Sequence, residues 1–367
     1  MQKSPWAGYN DTRMATVLRS FCKINLGLAV GPLRADGFHG LTTVYQTLAL
    51  HDRLTVSAKP AARTVITLEA DHPFVPRTAR GDAERNTAYR IVAGALERLR
   101  LPAQVHIRLE KRLPVQGGLG AGSANAAAAL LGLERELGVA LPGAERLALA
   151  AEVGSDVPLF LIGGTVLGLN RGEAVYPLPD AGALPVVVAV PPVGVSTAQA
   201  FKDLDARGAS GLTGEAKPDR LGKLSRILSS VWTHTGVEFE PTGIVSSASL
   251  SPSGQEVLPQ GTGAEGDLAG NPLLALVRTG VENDFEDVAF RQHPSLRDIK
   301  RALTGNPEQP GSRALYAALS GSGSALFGIY EGLESAQEAQ QRVESLGCKA
   351  LFTETLDRPG YWERMFA

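Results

Sequence analysis

A glycine-rich run at residues 114–126, Pro-Val-Gln-Gly-Gly-Leu-Gly-Ala-Gly-Ser-Ala-Asn-Ala, has the residue types of an anion-binding site. Glycine lets the backbone take positive φ angles and lets a ligand approach closely. A strand is predicted before the run and an alanine-rich helix after it, so free N–H groups and the helix dipole would attract anions there. The run predicts a phosphate site in which Ser123 caps the helix, binds a phosphate oxygen or ligates Mg²⁺.

Other glycine-rich motifs fit this run poorly. A Walker loop requires a lysine after its last glycine, but Ser123 follows Gly122. A dinucleotide fingerprint that starts at Gly118 finds its second glycine at Gly120 but lacks its third. The companion lysine and catalytic-loop motifs of protein kinases are missing from the sequence. A flexible turn before a helix remains as the structural alternative.

Asp156 and Lys23 are the candidate acid–base residues. Phosphoryl transfer to an alcohol requires held phosphates, neutralised charge and a positioned hydroxyl, whose proton a carboxylate can accept. Asp156 lies at a predicted helix-to-strand turn, and Lys23 shares one face of a predicted strand with Asn25. An Asp at a turn is usually structural, and a Lys on a strand usually points to solvent, so residue type alone leaves both alternatives open.

Strands and helices in mixed order would position these residues. Alternating or β-branched segments predict strands at residues 21–30, 41–50, 53–58, 65–69, 105–109, 159–162 and 186–190, the third and fourth forming a hairpin. Apolar residues at helical spacing predict helices at residues 86–99, 124–137, 144–153, 294–303 and 333–346. Gly138 and Gly154 mark two helix ends. The order lacks strict β–α alternation and predicts an α+β fold.

The length of 367 residues predicts two packed lobes, which we assign to residues 1–180 and 181–367. Between about residues 206 and 271, Gly, Ser, Thr and Pro dominate, and only residues 221–232 keep a helical pattern. We interpret this stretch as a partly disordered insertion in the second lobe.

Charge and composition favour a small-molecule substrate. The formal net charge of −2 provides no basic field for nucleic acid or anionic lipid. No run of 18 or more apolar residues occurs, and the N-terminus has mixed charge, so neither a membrane span nor a secretory signal is expected. Two cysteines, Cys22 and Cys348, are consistent with a cytoplasmic protein, and we interpret Cys22 as a buried bystander. The expected assembly is a monomer or a homodimer.

The glycine-rich run resembles the phosphate loop of the GHMP kinases (galactose, homoserine, mevalonate and phosphomevalonate kinases). Four further stretches narrow the resemblance to those GHMP kinases that act on 4-diphosphocytidyl-2-C-methyl-D-erythritol. They are Lys23-Ile24-Asn25-Leu26, Arg34-Ala35-Asp36-Gly37-Phe38-His39, Gly154-Ser155-Asp156-Val157-Pro158 and Leu319-Ser320-Gly321-Ser322-Gly323-Ser324. The stretch Asn283-Asp284-Phe285-Glu286 is also similar to a family stretch. The similarity runs from about residue 21 to residue 330, interrupted by residues 206–271.

This resemblance implies a ribosomal-protein-S5-domain-2-like N-terminal lobe and a ferredoxin-like α/β-plait C-terminal lobe. It also implies ATP and Mg²⁺ as cofactors and phosphorylation of the substrate's 2-hydroxyl. Lys23 and Asp156 would be the catalytic pair, and Ser123 a Mg²⁺ ligand. The implied ATP contacts are Pro114, Gly117, Gly118, Leu119, Gly120, Gly122, Ser123, Asn86 and Lys111. Asn86 is also a predicted helix cap, and a solvated charge is the alternative for Lys111.

The implied substrate site contains Asn25 and Asp156, with Phe38 stacking on cytosine and His39 bonding its edge. We also expect Thr197 to touch the substrate. The alternative for Phe38 is a structural role as an apolar side chain packed in the core. The backbone N–H groups of residues 320–324 are expected to bind substrate phosphates. The alternative for these residues is a tight turn with a purely structural role.

The chain departs from the family pattern at three positions: Phe38 replaces a usual Tyr, Gly40 a usual Glu, and Ala124 a second Ser of the loop. Another GHMP kinase, acting on a different alcohol, and a non-catalytic ligand-binding member remain the alternative functions.

Overall fold

The computed structural model describes residues 15–34, 37–115, 117–180, 182–209, 282–306, 308–309 and 312–367. Its strands are β1 (Thr16–Leu33), β2 (His39–Pro60), β3 (Val65–Ala70), β4 (Ala103–Glu110), β5 (Thr165–Asn170), β6 (Ala174–Pro177), β7 (Pro185–Val190), β8 (Tyr316–Leu319), β9 (Leu326–Ile329) and β10 (Lys349–Glu354). Its α-helices are α1 (Thr87–Leu99), α2 (Ala121–Leu137), α3 (Gly143–Val153), α4 (Thr197–Ala209), α5 (Glu286–Gln292), α6 (Ser295–Thr304), α7 (Leu333–Ser345) and α8 (Arg358–Met365).

The first sheet is built around the long strand β2. Its order is β3-β4-β2-β5-β6, and β1 pairs with β2 in antiparallel register from Thr16↔Val56 to Leu33↔His39. Strand β4 alternates buried and more exposed residues, as expected for a strand with one face on a core. The mixed sheets and helices confirm the α+β class.

The predicted hairpin between residues 53–58 and 65–69 is wrong. Residues 41–50 and 53–58 belong to one strand, β2, and β4 lies between β2 and β3. Val65 therefore pairs with Gln104 in parallel register. The connection between β2 and β3 after Pro60 is as short as a hairpin turn. The strand that lies between them in the sheet, β4, comes later in the chain, so the local sequence did not reveal its position.

Helix α2 lies close to the first sheet because its packing face is made of small residues. Its alanines at positions 124 and 126–129 are buried, and a Cβ atom added at Gly132 would lie 2.8 Å from a methyl group of Val56. This close packing fixes the N-terminus of α2, and hence the glycine-rich run, against β1 and β2.

The second sheet has the order β10-β7-β9-β8, and each neighbouring pair is antiparallel. Helices α6 and α7 cross its outer face. Along β7, Val187 and Ala189 pack with these helices, while Val186 and Val188 pack against Ile24 and other residues of β1 and β2. This β-α-β-β-α-β order is the ferredoxin-like plait implied by the resemblance. The strand predicted at residues 186–190 is confirmed as central.

A short buried strand predicted at residues 159–162 is a 3₁₀ helix, Pro158–Leu161. Pro158 suits the first helical turn, and a four-residue apolar run carries no periodicity that distinguishes strand from helix. Helix α2 begins at Ala121, earlier than the predicted residue 124, and Gly120 is its N-cap. The expectation that Ser123 caps this helix is therefore wrong. Gly138 and Gly154 are confirmed as helix ends.

The predicted lobe boundary near residue 180 falls between the two sheets, although α8 returns to pack on β1 of the first sheet. Residues 206–209 belong to α4, whereas residues 210–271 of the predicted insertion, including the helical pattern at 221–232, lie outside the described residues. No helix in the described ranges is long and apolar enough to cross a membrane.

Candidate active site

The glycine-rich run is held through its backbone carbonyls by both lobes. The carbonyl of Gly117 accepts a hydrogen bond from Ala325 N at 3.2 Å, and that of Leu119 accepts one from Lys23 N at 3.0 Å. Ser320 Oγ donates to the carbonyl of Gly118 at 3.0 Å. Three carbonyls of the run thus have hydrogen-bond partners in the two lobes, and its phosphate-binding role stays a prediction.

Two glycines of the run have conformations and contacts that a side chain would disturb. Gly118 has a φ of +75°, and a Cβ atom there would lie 2.1 Å from the carbonyl oxygen of Ser320. Gly120 has a φ of +69°, and its added Cβ would lie 3.1 Å from the Lys23 side chain. The loop thus approaches both the Ser320 turn and Lys23 as closely as its lack of side chains permits.

A cavity of about 370 Å³ opens above the N-terminus of α2. All nine residues predicted to contact ATP line this cavity, namely Asn86, Lys111, Pro114, Gly117, Gly118, Leu119, Gly120, Gly122 and Ser123. Apolar side chains, those of Phe74, Val75, Pro76, Leu109 and Val115, also line it. The lining thus combines the backbone of the glycine-rich run with apolar side chains, as a nucleotide requires. A cavity of about 440 Å³ beside Leu50 and Phe352 contains none of the predicted residues.

Asn86 and Lys111 have structural partners besides lining the cavity. The Asn86 side-chain oxygen accepts from Ala88 N at 2.9 Å, which confirms the predicted cap of α1. Lys111 Nζ pairs with Asp52, and the side chain of Lys111 is only 4% exposed. The solvated-charge alternative for Lys111 is therefore wrong, while its contact with adenine stays a prediction.

Lys23 and Asp156 meet beside the loop. Lys23 Nζ lies 3.4 Å from Asp156 Oδ2, and the Lys23 side chain is 3% exposed, so it does not point to solvent. Lys23 Nζ also donates to Asn25 Oδ1 at 2.6 Å, which confirms that the two residues share a strand face. Asn25 Nδ2 in turn donates to Thr43 Oγ1 at 2.8 Å. The hydrogen bonds through Asn25 to Thr43 thus orient the buried ammonium group of Lys23 toward the carboxylate of Asp156.

Tyr45 is the second partner of Asp156. Its hydroxyl donates to Asp156 Oδ1 at 3.1 Å. Burial, followed by the negative charge of Asp156, raises the pKa of Tyr45 well above its usual value, so Tyr45 remains a hydrogen-bond donor at neutral pH. Asp156 lies in the turn between α3 and the 3₁₀ helix, and these two partners fix both of its oxygens.

The predicted cytosine-binding residues lie where β1 passes to β2. Phe38 is 51% exposed, with the guanidinium of Arg171 5.0 Å from its ring centre, so it is not a core plug. His39 stacks on Phe201 at 5.2 Å, and its Nε2 atom lies 3.3 Å from Asp205 Oδ1. Ala35 and Asp36 of the same motif lie outside the described residues.

The turn at residues 320–324 faces the glycine loop. Asn283 Nδ2 donates to the carbonyls of Leu319 at 2.8 Å and Gly321 at 2.7 Å, and so holds the turn from below. Thr197 Oγ1 and Ser322 Oγ are 2.8 Å apart. Thr197 is therefore placed at this turn, where its contact with substrate stays a prediction.

ATP and Mg²⁺ fit the residues present. The first-turn N–H groups of α2 have no intrahelical acceptor, and the residues of this turn, Ala121, Gly122 and Ser123, line the cavity. Ser123 offers a hydroxyl oxygen, a hard ligand of the kind Mg²⁺ binds, and a Cβ added at Gly154 would lie 3.8 Å from it. No cluster of three or more His, Cys, Asp or Glu side chains suited to a metal occurs in the described ranges.

Several residues near the site gave no usable signal in the sequence. Tyr45 and Thr43 lie in a predicted strand but follow no chemical motif. Phe201 and Arg171 meet His39 and Phe38 only through the folded chain. The pairing of β1 with β2 sets Tyr45 opposite Asn25, and this register was not predicted from the sequence.

The family model described as GHMP kinases N terminal domain matches residues 86–164, and that described as GHMP kinases C terminal matches residues 270–347. The 4-diphosphocytidyl-2-C-methyl-D-erythritol kinase of Solibacter usitatus is 36% identical over 313 residues, covering 85% of this chain and 80% of the relative. The protein of the same name from Moorella thermoacetica is 32% identical and covers 92% of this chain and 98% of the relative.

Solved structures agree with the sequence relatives. A crystal structure of 4-(cytidine 5'-diphospho)-2C-methyl-D-erythritol kinase matches with a TM-score of 0.61 at 26% identity, covering 92% of this chain and 98% of that chain. Homoserine kinase from Cytophaga hutchinsonii matches with a TM-score of 0.62 at 18% identity, covering 95% of this chain and 97% of that chain, and shows the same fold.

Proposed function

The chain belongs to the GHMP kinase family and, within it, to the 4-diphosphocytidyl-2-C-methyl-D-erythritol kinases, and we propose that it phosphorylates the 2-hydroxyl of that compound with ATP. The reaction transfers the γ-phosphoryl group of ATP to an alcohol and releases ADP. It belongs to the non-mevalonate route of isoprenoid biosynthesis.

The observation that carries the proposal is the Lys23–Asp156 pair beside the glycine loop. When the alcohol oxygen bonds to the γ-phosphorus, its O–H bond breaks and the bond from phosphorus to ADP breaks. Asp156 accepts the released proton on its carboxylate, whose two oxygens are oriented by Lys23 and Tyr45. Lys23 supplies positive charge next to the reacting hydroxyl.

The loop and the N-terminus of α2 hold the triphosphate. Their glycines allow backbone N–H groups to approach the phosphate oxygens, and the helix dipole favours negative charge there. When bound with ATP, Mg²⁺ supplies charge neutralisation on the phosphates, and Ser123 would be its protein ligand. The carbonyl anchors to Ser320 and Ala325 keep the loop in place while the phosphates are held.

Phe38 and His39 would select the cytidine end of the substrate. An exposed phenylalanine ring can stack on a pyrimidine. The His39 ring is fixed by Gly31 and Phe201, and its Nε2 atom would exchange its contact with Asp205 for one with the base edge. Replacement of the usual Tyr by Phe38 keeps the stacking surface and removes one hydroxyl.

A coupled ADP-release assay with a panel of alcohols tests the proposal. We expect turnover of 4-diphosphocytidyl-2-C-methyl-D-erythritol with ATP and Mg²⁺, and little with mevalonate or homoserine. Turnover of mevalonate or homoserine alone would replace the proposed substrate with that of another GHMP kinase. ATP binding without ADP release from any alcohol would favour the non-catalytic alternative. A cytoplasmic location and a monomer or homodimer stay predictions from sequence.

A further inference from the structure

Asn283 holds the turn at residues 320–324 with both polar atoms of its side chain. Its Nδ2 atom donates to the carbonyls of Leu319 at 2.8 Å and Gly321 at 2.7 Å, and its Oδ1 atom accepts from Phe285 N at 3.0 Å. Asn283 is only 4% exposed. A substitution there would deprive two carbonyls of a buried donor, which costs stability unless the turn rearranges to satisfy them.

Glu286, three residues after Asn283, bonds to the other backbone group of Leu319. Its Oε1 atom accepts from Leu319 N at 2.9 Å, and its Oε2 atom accepts from Lys300 Nζ at 2.6 Å. The N–H and the carbonyl of Leu319 are thus both bonded to side chains of one short segment, residues 283–286. The backbone that enters the turn is therefore held on both of its polar groups.

The same segment is bonded to β1, the strand that carries Lys23. The N–H of Asp284 donates to the carbonyl of Leu28 at 3.0 Å, and the N–H of Val30 donates to Asp284 Oδ2 at 2.8 Å. Residues 283–286 thus connect the turn to the strand on which the lysine of the candidate catalytic pair lies.

The turn in its own right contacts both the glycine-rich loop and the surroundings of Lys23. Ser320 Oγ donates to the carbonyl of Gly118, and a Cβ atom added at Gly118 would lie 2.1 Å from the Ser320 carbonyl oxygen. A Cβ atom added at Gly321 would lie 3.5 Å from Asn25 Oδ1, the atom that accepts from Lys23 Nζ. A displacement of the turn would therefore displace the loop and disturb the hydrogen bonds of Lys23.

We propose that Asn283 is a positioning residue of the kinase: it holds the turn at residues 320–324 in the shape that places the glycine-rich loop correctly for the phosphates of the nucleotide. Asn283 is not among the residues that line the cavity, so its effect passes through Ser320 to Gly118. The inference rests on the proposed function only for the phosphate-binding role of the loop.

Calorimetric titration of the full chain with ADP and Mg²⁺ tests this inference without an alcohol substrate. Asn283→Ala is expected to weaken ADP binding at least about fivefold, the equivalent of about 1 kcal/mol, because the turn loses two donated hydrogen bonds and no longer places the loop. An ADP affinity within about twofold of the parent in Asn283→Ala would overturn the inference.

Gln46→Ala is the matched control for a loss of stability alone. Gln46 is 1% exposed, and its amide also donates to two carbonyls, those of Thr47 at 3.1 Å and Leu356 at 2.7 Å. These partners belong neither to the loop nor to the turn. Gln46→Ala should lower the melting temperature about as much as Asn283→Ala but keep the ADP affinity of the parent. Equal losses of affinity in the two variants would show that Asn283 acts only through stability.

A double-mutant cycle with Ser320→Ala tests the route from Asn283 to the loop. Ser320→Ala removes the hydroxyl that donates to the carbonyl of Gly118, and it should itself weaken ADP binding. If Asn283 acts through this contact, the double variant should bind ADP within about twofold of Asn283→Ala. Losses that multiply in the double variant, or a parent-like affinity in Ser320→Ala, would contradict the route.

Hydrogen–deuterium exchange of residues 114–126 supplies a readout of loop position that needs no ligand. We expect this segment to exchange faster in Asn283→Ala than in the parent, and at the parent rate in Gln46→Ala. If Asn283→Ala does not fold, Asn283→Ser, which keeps one donor, takes its place in both measurements with the same direction of change. Unchanged exchange in the Asn283 variant would overturn the inference.

The inference and the proposed function fail on different results. If the parent binds ADP and the variants behave as expected, but the cytidylyl alcohol is not phosphorylated, the proposed function fails while the inference stands. If the alcohol is phosphorylated and Asn283→Ala keeps the ADP affinity of the parent, only the inference fails. If the parent does not bind ADP, both fail.

Discussion

Lys23 Nζ lies 3.4 Å from Asp156 Oδ2, although the lysine belongs to β1 and the aspartate to a turn after α3. The contact depends on α2, which packs on β1 and β2 and places the N-terminal glycine loop over Lys23. The glycine-rich loop and the Lys23–Asp156 pair therefore adjoin each other. A kinase requires this juxtaposition because the hydroxyl must lose its proton as it attacks the phosphorus.

Tyr45→Phe should slow catalysis without weakening nucleotide binding. The change removes the hydroxyl that donates to Asp156 Oδ1, so the carboxylate loses one of its orienting partners. We expect kcat to fall about 3- to 30-fold, with the KM for ATP unchanged, and a loss of about 1 kcal/mol in the free energy of unfolding. Steady-state kinetics and denaturant unfolding measure these quantities.

Tyr330→Phe is the matched control for Tyr45→Phe. Tyr330 is also buried, and its hydroxyl donates to the carbonyl of Leu303 at 2.7 Å in the second lobe. It should lose similar stability but keep the parent kcat. Equal kinetic effects of the two substitutions would show that the Tyr45 hydroxyl acts only through stability.

Gly118→Ala should damage the loop more than an ordinary glycine substitution. The new Cβ atom would lie 2.1 Å from the Ser320 carbonyl oxygen, and alanine disfavours a φ of +75°. We expect a lower melting temperature and at least about a tenfold loss in kcat/KM for ATP, the equivalent of about 1.4 kcal/mol. Gly143→Ala, in the first turn of α3 with open space around it, should leave both quantities nearly unchanged.

Ser123→Ala tests whether one hydroxyl serves the phosphates and the metal. Because Ala124 stands where the family has a second Ser, Ser123 carries the one hydroxyl in the run at residues 114–126. We expect kcat/KM for ATP to fall about 10- to 100-fold and the Mg²⁺ concentration needed for half-maximal rate to rise. Ser345→Ala, at the exposed end of α7, should behave as the parent in the same Mg²⁺ titration. An unchanged Mg²⁺ requirement in Ser123→Ala would remove Ser123 as a metal ligand.

Alkaline pH should destabilise the fold through Cys22. Burial, followed by the charge of Asp52, raises the pKa of the Cys22 thiol from 9.0 to about 12. The folded chain keeps this proton at a pH where the unfolded chain loses it. The free energy of unfolding should therefore be level below about pH 9 and should fall above it by up to about 1.4 kcal/mol per pH unit for this one group.

Urea unfolding at pH 8, 9 and 10 measures this effect, and Cys22→Ala should reduce the slope between pH 9 and pH 10. An identical slope in parent and variant would show that Cys22 does not carry the effect. The same burial predicts that iodoacetamide does not alkylate Cys22 in the folded chain at pH 8.

The sequence predicted the site better than it predicted the sheets. Glycine spacing, helix caps and motif residues are local signals, and the predicted catalytic and nucleotide-binding residues meet in space. The error at residues 65–69 arose because β4 inserts between two strands that are neighbours in the chain. Tyr45 and Phe201 were missed because their neighbours in the site come from distant parts of the chain. Such contacts depend on strand register and helix packing, which no short segment encodes.

The most direct test of the account is ADP release by Asp156→Asn with ATP, Mg²⁺ and 4-diphosphocytidyl-2-C-methyl-D-erythritol. Asparagine preserves the shape of the side chain but cannot accept the hydroxyl proton as a carboxylate does. The account predicts a melting temperature and a KM for ATP close to those of the parent, with kcat lower by roughly 10²–10⁴. A kcat within about tenfold of the parent would contradict the role of Asp156 and the mechanism built on it.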